Sequence, residues 1–350
     1  MTRAEKIWFI GVLPPPVNGM SAVSQRVLDE LQRSVEVRRL AIHLEGPLTR
    51  SWPLQRQVRL LGRTAELALF ARAGEGVYFC LDAGLGQVSS CLIAIVARLK
   101  NLKIFVHHHV FSYVDRQTFL ARIFFRIVGK AAIHVVLCER MSERLQQLYG
   151  PSLRTRVLSN RGLIPPPTAS YPLPSALSTV GFLSNITPEK GISDFFRTAE
   201  IVQRRRPEIN FVIAGPARTR EIEEAVVAFV DASPTNRRYV GPVYGDKKER
   251  FFSEIDILLF PSRYRNEAEP LTIYECLERN VPVLSTARGC IPSQVPEECV
   301  ISPAADFSSW AAEKVIEASS RPALLIKWLQ ASPPIPEGDV SSVFALEPFA

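Results

Sequence analysis

The chain alternates strand-like and helix-like segments in two series, separated by a proline-rich stretch, and this pattern limits the possible folds more than any single motif does. In the first series, apolar runs of strand length occupy residues 7–12, 77–80, 104–106 and 133–137. Helical periodicity falls between them at 22–31, 88–99, 119–128 and 142–148. Buried strands alternating with helices predict a parallel sheet covered on both faces. Residues 162–178, GLIPPPTASYPLPSALS, carry five prolines and no periodicity, which marks a linker. The alternation then restarts, with strands at 180–183, 211–214, 239–240, 257–260 and 281–284. Helices are expected between them at 192–205, 220–230, 247–252 and 271–279, with a late helix at 306–318 and an irregular proline-rich tail from residue 332. The expected division is a domain at 1–165, a linker at 166–178, a second domain at 179–318 and a helix and tail at 319–350. Two doubly wound α/β domains of this kind predict a central cleft, with ligands beyond the carboxyl ends of strands.

At 350 residues the chain exceeds what one core usually serves, and 47% apolar with 22% charged residues is the composition of a globular protein. The six cysteines include no C-x-x-C pair, so free thiols in a reducing compartment are expected and a structural zinc site is not. The apolar run at 7–13 is too short to span a membrane and is ended by three prolines, so it reads as a first buried strand. No other stretch approaches spanning length, which predicts a cytoplasmic or peripheral protein. The net charge of +7 is uneven: residues 1–161 hold 23 basic against 11 acidic side chains, and the rest are mildly acidic. The two halves should therefore meet different partners.

Several segments just after strands have residue types suited to binding. Asn18-Gly19 is a turn opening a helix, which offers free N–H groups to an anion; an ordinary capped loop reads the same way. His107, His108 and His109 follow a strand, and strand alternation aims two of them to one side. His107 is the first choice for a substrate contact and His109 the second; no neighbouring acid or cysteine completes a metal set. Lys190-Gly191 precedes a helix, where a lysine can meet a phosphate, or can be a solvated loop residue. Gly215 and Gly241 each end a strand before proline, where a flat ring can approach the backbone, or a plain turn can form.

The stretch at 256–295, DILLFPSRYRNEAEPLTIYECLERNVPVLSTARGCIPSQV, is the most specific. A strand ending in Pro261-Ser262 is followed by Glu267, seven residues, then Glu275, a strand near Val283, and Arg288-Gly289 with Ile291-Pro292. This region resembles the retaining nucleotide-sugar glycosyltransferases of family 4, and Gly19, Lys190-Gly191, Gly215 and Gly241 extend the likeness to roughly residues 6–318. The resemblance implies the α/β GT-B fold, two Rossmann-like domains facing a central cleft, the first binding the acceptor and the second the donor. It implies transfer of a hexose-type sugar from a UDP- or GDP-linked donor to an acceptor hydroxyl, with no cofactor and no metal. By the same resemblance Glu275 meets the ribose hydroxyls, Glu267 the transferred sugar, and Lys190 the leaving diphosphate. The N–H groups from Ala268 through Glu269 and Pro270 to Leu271, with Thr272 behind them, flank that diphosphate, where Pro270 itself has none to offer. Asn185, Gly215 and Val240 complete the donor site, and His107 joins Lys190 and Glu267 as a catalytic candidate.

The chain departs from the family at three places. Phe182 stands where an arginine is frequent, with Ser184, Asn185 or another basic residue as substitutes. Ala268-Glu269-Pro270 replaces Gly-Phe-Gly, so Glu269 either alters sugar choice or points to solvent. Asn18-Gly19 replaces a double glycine. The basic first half suggests an anionic partner: residues 52–74 mix apolar side chains with Arg56, Arg59, Arg63 and Arg72, and residues 119–130 set Arg122, Arg126 and Lys130 four apart. A basic amphipathic helix lies on an anionic membrane or packs as an ordinary surface helix. The expected partners are thus a nucleotide sugar and a glycan or lipid-linked acceptor, with peripheral contact at the inner face of the plasma membrane and a role in polysaccharide or glycolipid assembly. One rival is a catalytically silent nucleotide-sugar-binding subunit. Another, nucleic-acid binding, lacks an aromatic stacking signature or a recognised module.

Overall fold

The computed structural model describes residues 6–14, 19–42, 52–163, 167, 169–334 and 343–344, with the side chains of 19, 52–54 and 163 left aside. The chain divides into two compact units, Met1–Ile164 with Pro336–Ala350, and Pro165–Ile335. The tail thus belongs with the first unit. There Phe344 packs its ring 5.7 Å from Tyr78 and 5.0 Å from Phe105, and the backbone oxygen of Val343 accepts from Arg156 at 2.6 Å. Spacing within 332–350 offers no sign of this, because Val343 and Phe344 are adjacent and set no periodic pattern.

In the first unit the elements run β1 Lys6–Gly11, α1 Gly19–Ser34, β2 Glu36–Ala41, α2 Trp52–Phe70, β3 Gly76–Cys80, α3 Gln87–Leu99 and β4 Lys103–His107. Then follow α4 Ser112–Asp115, α5 Phe119–Val128, β5 Ile133–Val136, α6 Glu139–Tyr149 and β6 Arg154–Val157. The six strands pair in parallel in the order β2-β1-β3-β4-β5-β6. The inner strands are continuous apolar runs because both faces are covered. The two edge strands, EVRRLA and RTRV, carry charged residues and no such run, and sequence reading passes over them for that reason.

The second unit runs β7 Thr179–Leu183, α7 Ile192–Arg205, β8 Asn210–Ala214, α8 Arg220–Asp231, β9 Arg237–Tyr239, α9 Asp246–Glu254 and β10 Ile257–Phe260. It continues with α10 Leu271–Leu277, β11 Val283–Thr286, β12 Val300–Ile301, α11 Phe307–Ser320 and α12 Ala323–Gln330. Its order is β12-β11-β10-β7-β8-β9, all parallel. One core holds this unit together, with Val180, Phe195, Phe211, Leu258, Ala311 and Trp328 each no more than 1% exposed. Phe182 lies in that core at 1% exposure, its ring 5.4 Å from Phe195.

The free-thiol expectation holds for Cys80, Cys91, Cys276 and Cys299 but not for Cys138 and Cys290. Among the described residues, no helix is long and apolar enough to cross a membrane.

Candidate functional site

In the second sheet β8 follows β7 on one side while β10 lies on the other, so the loops leaving β7 and β10 are neighbours at a topological switch point. After β7 the chain makes a short 3-10 turn, Pro188–Lys190, and enters α7 through Gly191 at φ +80°. A Cβ on Gly191 would lie 2.2 Å from the backbone oxygen of Pro261, so only glycine lets this loop press on the end of β10. The backbone N–H of Arg263 clasps the same loop by donating to Glu189 at 2.7 Å. This contact brings Lys190 Nζ to 2.6 Å from Glu267 Oε2, and the Ser262 hydroxyl donates to that same oxygen. Both charged side chains are largely buried, at 19% and 9% exposure. The lysine also sits 5.0 Å from the centroid of the Tyr264 ring, a cation–π distance.

The segment from Glu267 to Glu275 is not a helix capped by its acids. The residue before α10 is Pro270, which offers no side-chain cap. Glu269 is 5% exposed and accepts a hydrogen bond from the Tyr274 hydroxyl at 2.8 Å, so it does not point to solvent. Ala268 is held from behind: Cys290 N–H donates to its carbonyl at 2.7 Å. Gly289, at φ +54°, packs so closely that a Cβ would lie 2.3 Å from the same oxygen. Gln294 donates to the Pro270 carbonyl at 3.2 Å. The Arg-Gly-Cys-Ile-Pro run therefore fixes the path of the backbone between the two acids. Leu271 and Thr272 form the first turn of α10, half-buried. Glu275 follows, and both its carboxylate oxygens accept from Lys248 Nζ of α9, at 2.6 and 2.7 Å.

The tips of β8 and β9 form a second backbone surface. Gly215, at φ +120°, lies so near Ser184 that a Cβ would fall 1.7 Å from its carbonyl oxygen. Its N–H donates to Gly241 at 2.8 Å, and its carbonyl accepts from the Tyr239 hydroxyl at 2.8 Å. Val240 beside it is 37% exposed. Asn185 accepts from Arg218 at 2.9 Å, which sets a cation at the ends of β7 and β8. A hollow of about 750 Å³ on this unit, lined in part by Asn210, Asp231, Arg238 and Glu254, opens instead at the amino ends of β7 and β8. Of the residues at these tips it shares only Tyr239.

In the first unit Gly19 opens α1, and Asn18 lies outside the described residues. The histidines alternate as a strand end should: the His107 and His109 rings lie 3.9 Å apart, and His108 turns to His134, Nε2 to Nδ1 at 3.0 Å. His107, the first choice for a substrate contact, is fully buried, with Nδ1 2.6 Å from the Tyr78 hydroxyl. Partial exposure belongs to His109. Burial holds all four imidazoles neutral, pushing His107 and His108 well below the usual range, His109 to about 4 and His134 to about 3. Among the described residues, no three His, Cys, Asp or Glu side chains are grouped as metal ligands.

Sequence reading brought together Lys190, Glu267, Glu269 and Glu275 but missed what holds them. Ser262 was visible in the Pro-Ser step as a motif and not as a donor to Glu267. Lys248 is one of two adjacent lysines in α9, and spacing alone cannot tell which reaches an acid 27 positions on. Arg218 and Tyr274 were also not singled out.

Residues 178–319 match the family model described as Glycosyl transferases group 1, which agrees with the resemblance read from the Glu-x7-Glu region. Solved GT-B structures align along nearly the whole chain. HepE from Anabaena, solved with UDP and glucose, is 12% identical, with 97% of each chain covered and a TM-score of 0.65. Sucrose-phosphate synthase from Thermosynechococcus elongatus is 16% identical, covering 97% of this chain and 96% of its own, with a TM-score of 0.67. The lipopolysaccharide outer core galactosyltransferase WaaB, in apo form, is 17% identical, covering 94% and 96%, at 0.64. The fold is that of the GT-B glycosyltransferases. No curated protein matches.

Proposed function

We propose, taking as premise a GT-B chain whose second unit matches Glycosyl transferases group 1, that the protein is a retaining glycosyltransferase. It moves a hexose-type sugar from a UDP- or GDP-linked donor to an acceptor hydroxyl, without a metal. The observation that carries this reading is the pairing of Glu267 with Lys190 at the switch point, with Glu275 held by Lys248 on the adjoining helix. Glu275 accepts from the ribose hydroxyls and Glu267 from the sugar. Glu269, fixed by Tyr274, shapes sugar choice from beneath. Asn185, Gly215 and Val240 line the nucleotide end.

In the reaction the bond from the anomeric carbon to the diphosphate oxygen breaks and a bond to the acceptor oxygen forms on the same face. The acceptor proton passes to the leaving diphosphate. Negative charge grows on that diphosphate, and Lys190 with the backbone N–H groups of Ala268, Glu269 and Leu271 stabilises it. Two carboxylates flanking a scissile bond would suit a hydrolase. Here each is tied to its own lysine, which suits ligand binding instead. The acceptor is a glycan or lipid-linked sugar met at the inner face of the plasma membrane, in polysaccharide or glycolipid assembly. The burial of Phe182 in the core favours one second reading, a subunit that binds the donor without turning it over. Release of UDP or GDP from a panel of nucleotide sugars, with and without acceptor, tests both: turnover abolished by Lys190→Ala supports transfer, and binding without turnover supports the silent subunit.

A further inference from the structure

The three helices α2, α3 and α5 pack side by side on the first unit, with α3 in the middle. Every exposed large apolar side chain described in that unit lies on these helices or on the short turn that leads into α3. α3 is turned inside out. Its buried face is made largely of small residues, including Ser89, Ser90, Cys91, Ala94 and Ala97, while Val88, Leu92, Ile95 and Leu99 face outward. These four recur at helical spacing, and Leu99 is 83% exposed. The neighbouring α2 continues the patch with Val58, Leu61 and Leu69, at 61%, 48% and 73% exposure. On the other side α5 presents Phe119, Arg122 and Arg126, three and four residues apart and all exposed. Arg98 of α3 is exposed as well, and neither α3 nor α5 contains an acidic residue. A soluble surface of this kind carries a cost unless something covers it.

We propose that this three-helix face docks on an anionic lipid surface. The outward stripe of α3 lies in the acyl boundary, and Arg98, Arg122 and Arg126 meet the headgroups. An apolar ridge bordered by Arg98, Arg122 and Arg126 matches such a surface, and the one acid of α2, Glu66, is already engaged by Arg38 and Arg63. A second copy of the chain would cover the apolar ridge, but its α3 and α5 would bring no acidic residue to Arg98, Arg122 and Arg126. The docking rests on the glycosyl-transfer reading only in that a lipid-held acceptor gives it a purpose. The sequence pointed to residues 52–74 and 119–130; the structure adds α3 between them as the ridge.

The test is flotation of the full-length protein with vesicles of phosphatidylcholine alone or mixed equally with phosphatidylglycerol, with no nucleotide sugar present. Binding is expected only with the anionic vesicles and should weaken as salt rises. It should fall about fivefold for each of Arg122→Gln and Arg126→Gln, and about tenfold or more for the pair Leu92→Gln with Ile95→Gln. These positions are exposed, so melting temperature and UDP or GDP binding should match the parent. No flotation with anionic vesicles at low salt would overturn the proposal, as would flotation insensitive to the α3 pair. A dimer that this pair dissociates, without vesicle binding, would also overturn it. Loss of nucleotide binding with flotation intact would instead remove the glycosyl-transfer reading and leave this one standing.

Discussion

Both carboxylate oxygens of Glu275 accept hydrogen bonds from a single ammonium, that of Lys248, at 2.6 and 2.7 Å. The lysine therefore fixes the orientation of this acid. A carboxylate that reads ligand hydroxyls contributes about 1.5–3 kcal/mol. Glu275→Ala should weaken binding of UDP or GDP about ten- to hundredfold by isothermal titration calorimetry. Lys248→Met removes only the orienting partner and should weaken it by less than about tenfold. A larger effect at Lys248 than at Glu275 would assign the hydroxyl contact to the lysine.

In the proposed reaction Lys190 differs from Lys248 in the step it serves. If it stabilises charge that appears as the diphosphate departs, its removal should act on turnover more than on affinity. Lys190→Ala is expected to lower kcat for donor cleavage by roughly 10²–10³ with little change in KM. An equal loss in KM at unchanged kcat would make it a binding residue only.

The glycines give a stability contrast. Gly215→Ala places a Cβ 1.7 Å from the Ser184 carbonyl at φ +120°, whereas Gly241 at φ +72° has open space around it. Gly241→Ala should cost only the left-handed penalty of about 1 kcal/mol. Gly215→Ala must also part the tips of β7 and β8, and should cost more than about 2 kcal/mol. Urea denaturation of the two variants checks the order.

The buried histidines of the first unit make its stability depend on acid. His109 and His134 are held down to about 4 and about 3, because burial disfavours the imidazolium. The unfolded chain, with ordinary imidazoles near 6.5, binds more protons throughout the interval below that value. Their contribution is therefore complete above about pH 6.5 and is lost as the pH falls toward 4 and then 3. The melting temperature should drop across this window, and His134→Phe should flatten the drop. A profile unchanged by that substitution would show that other groups cause the acid sensitivity.

Much of the architecture was legible because buried parallel strands are continuous apolar runs, as at Val77, Val106 and Leu258. The edge strands at Glu36–Ala41 and Arg154–Val157 were not, since a strand covered less fully carries charge. Within the site, Glu267 and Glu275 stood out by their spacing after a Pro-Ser strand end. Lys248, the partner of Glu275, did not, because an ion pair across a fold leaves no periodic trace; Ser262 stood in the motif, but nothing in its spacing marks it as a donor to Glu267. His107 was judged by its place after an apolar run, but the strand continues through it, and so its side chain lies in the core. The outward stripe of α3 was hidden for a related reason: helical periodicity shows that one face is apolar and not which face is buried.

The most direct test is the melting temperature of the full chain against a panel of UDP- and GDP-linked sugars. A ligand that binds the native state at a hundred times its Kd adds about 2.7 kcal/mol. At least one donor should raise the melting temperature of the parent protein by several degrees and leave Glu275→Ala unmoved. A parent protein that no donor shifts, or a Glu275→Ala variant shifted equally, would contradict the account.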